Sequence, residues 1–141
     1  MKKLTIAALA LVMLTACGSS TKTGTAEVEV DETDKITCTV TVEGDKITSV
    51  DLNQTYEGST KKDLKEDYGM ASTSQAIGVI TENNGEWYEQ IAYLEQYIVD
   101  NGLDAVEMDD TGHAAGDLTA GCTITISSFI EAVEAAVEAP E

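Results

Sequence analysis

Lys35-Ile36-Thr37-Cys38-Thr39-Val40-Thr41-Val42 is the stretch that decides the fold class, because its apolar and polar residues alternate without a break. Ile36, Cys38, Val40 and Val42 fall on one face and Thr37, Thr39 and Thr41 on the other. That is the period of a strand with one face on a core and one in water. A thiol on the apolar face behaves as a small hydrophobe. Upstream, Ala26, Val28 and Val30 alternate with Glu27, Glu29 and Asp31, which predicts a strand over 26–31. Downstream, Glu43-Gly44-Asp45 is a turn signal, and Lys46 to Leu52 reads as the return strand of a hairpin. Three strands joined this way form an antiparallel meander.

Beyond the meander the pattern changes. The charged segment 59–68 predicts a short helix, and 69–85 is rich in Gly, Ser, Thr and Asn. A long segment of little periodicity inside a compact domain is often functional. The spacing of Trp87, Ile91, Leu94 and Ile98 predicts a helix over 86–100, stopped by Asn101-Gly102. Tyr88, Tyr93 and Tyr97 flank that stripe and read as core and rim packing. After an acidic, glycine-bearing loop, 122–126 reads as a short strand, with Cys122, Ile124 and Ile126 on one face and Thr123 and Thr125 on the other. Ser128 and Glu131 stand at capping-box spacing and open a last helix. Its inward residues are Phe129 or Ile130, Val133 and Val137, with Glu131, Glu134 and Glu138 toward solvent. Strands, helix, strand, helix without regular βαβ alternation indicate an α+β fold: a meander packed with two main helices over residues 26–139.

The first residues carry a different message. Lys2 and Lys3 precede an apolar run from Ile6 to Leu14 and then small residues, the layout of a secretory signal peptide. The run is far short of the ~20 residues that span a bilayer. Leu14-Thr15-Ala16-Cys17 resembles the lipobox of bacterial lipoproteins. The resemblance implies cleavage after residue 16, a diacylglyceryl group on Cys17, and a protein held at the outer face of the cell membrane. Two acyl chains are enough for stable anchoring. Residues 1–16 are then the signal and 17–25 a lipidated cysteine with a flexible tether. An ordinary signal peptide ending beside a cysteine is the alternative.

The chain has 141 residues, no arginine, eight lysines and 26 carboxylates. Loss of Lys2 and Lys3 with the signal leaves a net charge of −20. Nucleic acid is thereby excluded as a partner, since its binding relies on basic residues that neutralise phosphates. Wide contact with anionic lipid is disfavoured for the same reason, so the anchor and not the surface would hold the protein at a membrane. Asp109-Asp110 and Asp31-Glu32 lack the alternating ligand spacing of a calcium loop. Cys38 and Cys122, far apart in sequence, make neither a disulfide scaffold nor a zinc site. Free thiols are the expectation, with pairing left for the case that their strands are neighbours. The single histidine, His113, reads as a solvated loop residue, and no nucleophile elbow accompanies it.

The segment that carries chemistry is Asp117-Leu118-Thr119-Ala120-Gly121-Cys122-Thr123. From the residues alone it is a glycine-bearing turn entering a strand, with the Thr123 hydroxyl turned away from the core and a helix N-terminus nearby, where unpaired N–H groups favour anions. The segment resembles the flavinylation motif of the FMN-binding domain family, which occurs in NqrC-type subunits of sodium-pumping quinone reductases and in lipoproteins of extracellular electron transfer. In that motif an aspartate is followed by two variable residues, Ser or Thr, glycine, alanine and a final Thr or Ser. The resemblance makes Thr123 the acceptor, esterified to the FMN phosphate by a separate FAD-consuming transferase, with Asp117 and Gly121 at the motif's aspartate and glycine. Two positions depart: Ala120 stands where the motif has a hydroxyl, and Cys122 replaces alanine. The hairpin, Asp67-Tyr68-Gly69-Met70, Glu86-Trp87-Tyr88-Glu89-Gln90 and Thr123-Ile124-Thr125-Ile126 add to the likeness. It implies a covalent FMN cofactor bound through Thr123, Gly121, Asp117 and Cys122, and Trp87 and Tyr88 as ring contacts by region. It also implies redox proteins or quinones as partners, and an electron carrier more than a turnover enzyme. A surface lipoprotein using the same fold for binding or structure, without flavin, is the alternative reading.

Overall fold

The computed structural model describes residues 6–16, 19–70 and 85–139, with side chains from residue 20 onward. The expected lipidation residue Cys17 and residues 71–84 of the Gly-rich segment lie outside them. The fold is α+β. Strands β1 (Ile6–Ala16), β2 (Ser19–Glu29), β3 (Lys35–Glu43), β4 (Lys46–Tyr56) and β5 (Ser59–Thr60) lie side by side in chain order, each antiparallel to the next. The register aligns apolar residues into rows across the central strands: Ala26 with Cys38 and Leu52, and Val28 with Ile36 and Gln54. Such cross-strand neighbours are the unit that stabilises a sheet. Gln54 is the polar member of these rows, only 8% exposed.

Among the described residues the α-helices that follow are α1 (Lys61–Leu64), which runs into a 3-10 turn at Lys65–Tyr68, α2 (Trp87–Asn101) and α3 (Ser127–Glu138). Helix α2 packs on β4, and α3 on β2 and β3. Their apolar stripes close the core over the sheet: Ile91, Leu94 and Ile98 from α2, and Ala132, Val133 and Ala136 from α3, all fully buried. Helix α2 starts at a reciprocal capping box, in which the Glu86 side chain accepts from the Glu89 backbone and the Glu86 N–H donates to Glu89 Oε2 at 3.1 Å. It ends at Gly102, whose φ of 89° no other residue type adopts cheaply.

Four expectations need correction. Residues 19–25, expected to be tether, belong to β2: Thr21, Thr23 and Thr25 continue its alternation and pair with Glu43, Thr41 and Thr39 of β3. At its other end β2 stops at Glu29, where Asp31 folds back to cap a turn by accepting from Thr33 and Asp34 N–H groups. The segment 122–126 is not a strand. Only an isolated bridge between His113 and Thr125 forms there, and the backbone bonds run to a loop, from Ala114 N to Ile124 O and from Ile126 N to Gly112 O. Finally, α3 begins two residues early, at Ser127 with Ile126 as its cap residue in place of Ser128 and no side-chain cap. Ser128 therefore sits inside the first turn. Ala132 and Ala136 take the buried positions, while Val137 is half-buried.

Candidate functional site

Beside the N-terminus of α2, a cavity of about 620 Å³ opens between α1 with its 3-10 turn and the segment 123–129. Its apolar walls are Ile36, Met70, Trp87 and Phe129. The Trp87 and Phe129 rings meet at a centroid distance of 5.9 Å, so the same indole packs the core and faces the cavity. The polar walls are Gln54, Lys61 and Tyr68 on one side and His113, Thr123 and Thr125 on the other.

Thr123 reaches this cavity through a tightly determined approach. A 3-10 turn over Gly116–Ala120 buries Leu118, whose carbonyl accepts from Gly121 N at 3.2 Å and Cys122 N at 3.0 Å. Gly121 then passes under the Tyr93 ring: a Cβ there would lie 2.6 Å from Tyr93 Cε2 and closer still to Cδ2 and Cγ. Cys122 drops into the core at 0% exposure, and Thr123 emerges half-buried on the cavity wall. Gln90, wholly buried on the apolar stripe of α2, holds it there. Its Oε1 accepts from Thr123 N at 3.0 Å and lies 3.4 Å from Thr123 Oγ1, while its Nε2 donates to Gly85 O at 3.4 Å. The backbone is thus pinned by a short bond, and the hydroxyl by a long one that a better partner can replace.

A half-buried polar chain centred on the buried Gln54 forms the opposite wall. Gln54 Nε2 donates to Asp34 Oδ2 at 2.7 Å, and Lys61 Nζ donates to Gln54 Oε1 at 2.8 Å. The Lys61 ammonium lies 5.1 Å from the Tyr68 ring centroid and 5.5 Å from that of Trp87, within cation–π range of both. Burial pushes its pKa below the ordinary value, with Asp34 acting in the opposite sense. Asp34 Oδ1 is buried and has no hydrogen-bond partner among the described residues.

His113 is exposed but not simply solvated. Its Nδ1 lies 2.7 Å from Thr111 Oγ1 and its Nε2 3.1 Å from Thr125 Oγ1. Thr111 spends its one hydroxyl proton on Asp109 Oδ1 at 2.7 Å, so in the neutral ring Nδ1 carries the hydrogen and Nε2 accepts from Thr125. Asp109, which collects the Thr111 and His113 donors, has its pKa held below the ordinary value by them.

Of the four residues that the sequence reading gave as binding the cofactor, Thr123 alone lines the cavity. Gly121 serves the close approach to Tyr93. Asp117 is exposed on the 3-10 turn. Cys122 is a core residue whose thiol is pushed up to about 11 by burial, against a hydrogen bond from the Ile124 backbone. Cys38 and Cys122 are both free and buried. Trp87 faces the cavity, whereas Tyr88 turns its hydroxyl to Glu66 Oε1 at 3.0 Å. Gln54, Lys61 and Gln90 were missed. A signal existed for the two glutamines: each is a polar residue at an apolar register position, Gln54 after Val50 and Leu52, and Gln90 three residues after Trp87.

The sequence matches no protein-family model and no curated protein. Among solved structures it is similar to a structural-genomics protein from Clostridium thermocellum, determined in solution by NMR. The likeness covers 82% of this chain and 88% of that one, at 27% identity and a TM-score of 0.51. It supports the α+β architecture. Among the described residues no helix is long and apolar enough to cross a membrane.

Proposed function

We propose that this chain is an extracytoplasmic, lipid-anchored electron carrier with FMN joined to Thr123 through its phosphate. The observation that carries the reading is the half-buried Thr123 hydroxyl on the wall of an aromatic cavity. Bound there, a flavin supplies reversible electron transfer. The residues present fit a planar ring system: the Trp87 and Phe129 rings, 3% and 5% exposed, and the flexible Met70 side chain make an apolar lining, and Lys61 and Gln54 offer polar atoms at one edge. They do not fit an ionic phosphate site. The chain has no arginine fork, and its net charge of −18 opposes capture of a free anion. A covalent ester removes the need for such affinity and keeps the cofactor from diffusing away outside the cell. Gln90 fixes the acceptor backbone, and the exposure of Asp117 on the preceding turn is compatible with contact with a transferase. Electron donors and acceptors are then redox proteins or quinones. Cleavage before Cys17 would also remove β1 and leave β2 as the sheet edge.

The test is expression of the full chain with a flavin transferase and FAD, followed by mass spectrometry and in-gel flavin fluorescence under denaturing conditions. Wild type gains one FMN, and Thr123→Val gains none. A wild-type chain of unchanged mass overturns the covalent reading. Detergent-phase partitioning that Cys17→Ala abolishes checks the anchor. The flavin-free alternative draws on Ala120, which removes the motif's first hydroxyl from an exposed position.

A further inference from the structure

We propose that Lys61 is the subsite of this cavity for the electron-rich or anionic edge of a planar aromatic ligand. For its ligand, the pyrimidine edge of the flavin ring, the proposal rests on the reading above; its geometry does not. Thr60 caps α1, with its hydroxyl oxygen accepting from Asp63 N at 3.3 Å, and Lys61 follows as the first helical residue. From there the side chain reaches between the Tyr68 and Trp87 rings to the Gln54 amide. Asp34 holds the nitrogen end of that amide, so its oxygen is the end presented to the ammonium.

Among the described residues Lys61 is the lysine that lines this cavity, whereas Lys35 and Lys62 are committed to carboxylates and Lys22, Lys46 and Lys65 lie away from it. Lys35 pairs with Glu27 at 2.7 Å, and Lys62 pairs with Asp51 and Glu95, each at 2.5 Å. Lys61, among 26 carboxylates, is paired with none of them among the described residues. An ammonium has three donors, and among the described residues one is used. Among the described residues the other titratable groups facing it are Tyr68 and, across the cavity, His113, with Asp34 behind Gln54. A half-buried cation short of partners gains from an added negative or electron-rich group, and burial pushing its pKa down is in keeping with that deficit. A ring lying on Trp87 would present an edge to Lys61. The acidic surface acts from farther away and is damped beyond ~8–10 Å by salt, whereas a half-buried charge in the cavity is screened less. The local cation therefore outweighs the global field and favours the more negative, reduced form of the ring.

Riboflavin, which has no phosphate, is the probe. It is titrated into the full chain by fluorescence quenching, and the midpoint potential of the bound ring is then measured with dithionite supplying two electrons and buffer one proton per ring. Lys61→Met should lower the preference for reduced over oxidised ring about tenfold, which for a two-electron couple is about 30 mV. Lys61→Arg should keep it within about threefold. Circular dichroism checks that both variants fold. Equal preference in wild type and Lys61→Met, or Lys61→Arg behaving like Lys61→Met, overturns the subsite. A Lys61-dependent preference in a chain that takes no covalent FMN leaves the subsite standing and removes the ester. Covalent FMN whose potential ignores Lys61→Met does the reverse. A chain that neither binds riboflavin nor takes FMN overturns both.

Discussion

Gly121→Ala separates two reasons for a glycine in front of Thr123. If the residue is there only for backbone freedom, alanine should be harmless, because φ is −140° and ψ −2°, outside the left-handed region. The structure gives the other reason. A new Cβ would sit 2.6 Å from Tyr93 Cε2, and nearer to two further ring carbons, where carbon atoms normally rest about 3.5–4.0 Å apart. The ring must retreat by about 1 Å, and behind it stands Tyr97, stacked at a centroid distance of 6.5 Å. Overpacking of this kind costs about 1–3 kcal/mol. Alanine offsets about 0.4–1 kcal/mol of it by restricting the unfolded chain. The net loss is then about 1–2 kcal/mol, which for a urea dependence of about 1–3 kcal/mol per molar lowers the unfolding midpoint by roughly 1 M. Urea unfolding followed by far-ultraviolet circular dichroism reads it. In a Tyr93→Ala background the same substitution should cost less than about 0.5 kcal/mol, because its collision partner is gone. A Gly121→Ala midpoint equal to that of wild type, with Tyr93 intact, would refute the steric account.

Three further outcomes are expected. Gln90→Leu strips the Thr123 N–H of its partner and removes one bond to the Gly85 carbonyl, and should cost about 1–3 kcal/mol, with faster hydrogen exchange at the Thr123 amide; unchanged exchange contradicts its role. Cys38 and Cys122, their thiols pushed up to about 12 and about 11 chiefly by burial, should resist iodoacetamide in the folded protein and react in guanidinium chloride. Labelling at equal rates in both states would speak against two buried thiols. Asp109, whose folded pKa is depressed by the Thr111 hydroxyl and the His113 and Thr111 N–H groups, contributes stability above the ordinary carboxylate range that is lost as pH falls through the folded value. A carboxyl NMR titration should find its midpoint below that of a free aspartate, and Thr111→Val should raise it; an unmoved midpoint refutes the assignment.

The sheet was legible because its alternation is long. Eight residues from Lys35 to Val42 can satisfy only one periodicity, and the register then places the inward residues of β3 against apolar neighbours or a glycine, apart from Gln54 opposite Ile36 and Lys22 opposite Val42. The segment 122–126 alternates too, but over five residues, and alternation that short arises equally from an extended loop docked by Cys122 and Ile126. What distinguishes loop from strand is where the backbone bonds go, and here they go to a glutamine side chain and to the His113 loop. Ser128 and Glu131 have capping-box spacing, yet Ile126 N–H donates to Gly112 O and the cap falls at Ile126, two residues earlier. At the site, Thr123 was found through resemblance and its local turn. Lys61 was not, since a lysine opening a short helix reads as solvent-exposed until the fold folds it across two aromatic rings.

The chain has one tryptophan, and it stands where the core meets the cavity. The molecule thus carries its own optical gauge of occupancy. Emission from the Trp87 indole should be quenched when a stacking guest arrives and should shift to the red when the protein unfolds, so filling and melting can be told apart in one unlabelled sample.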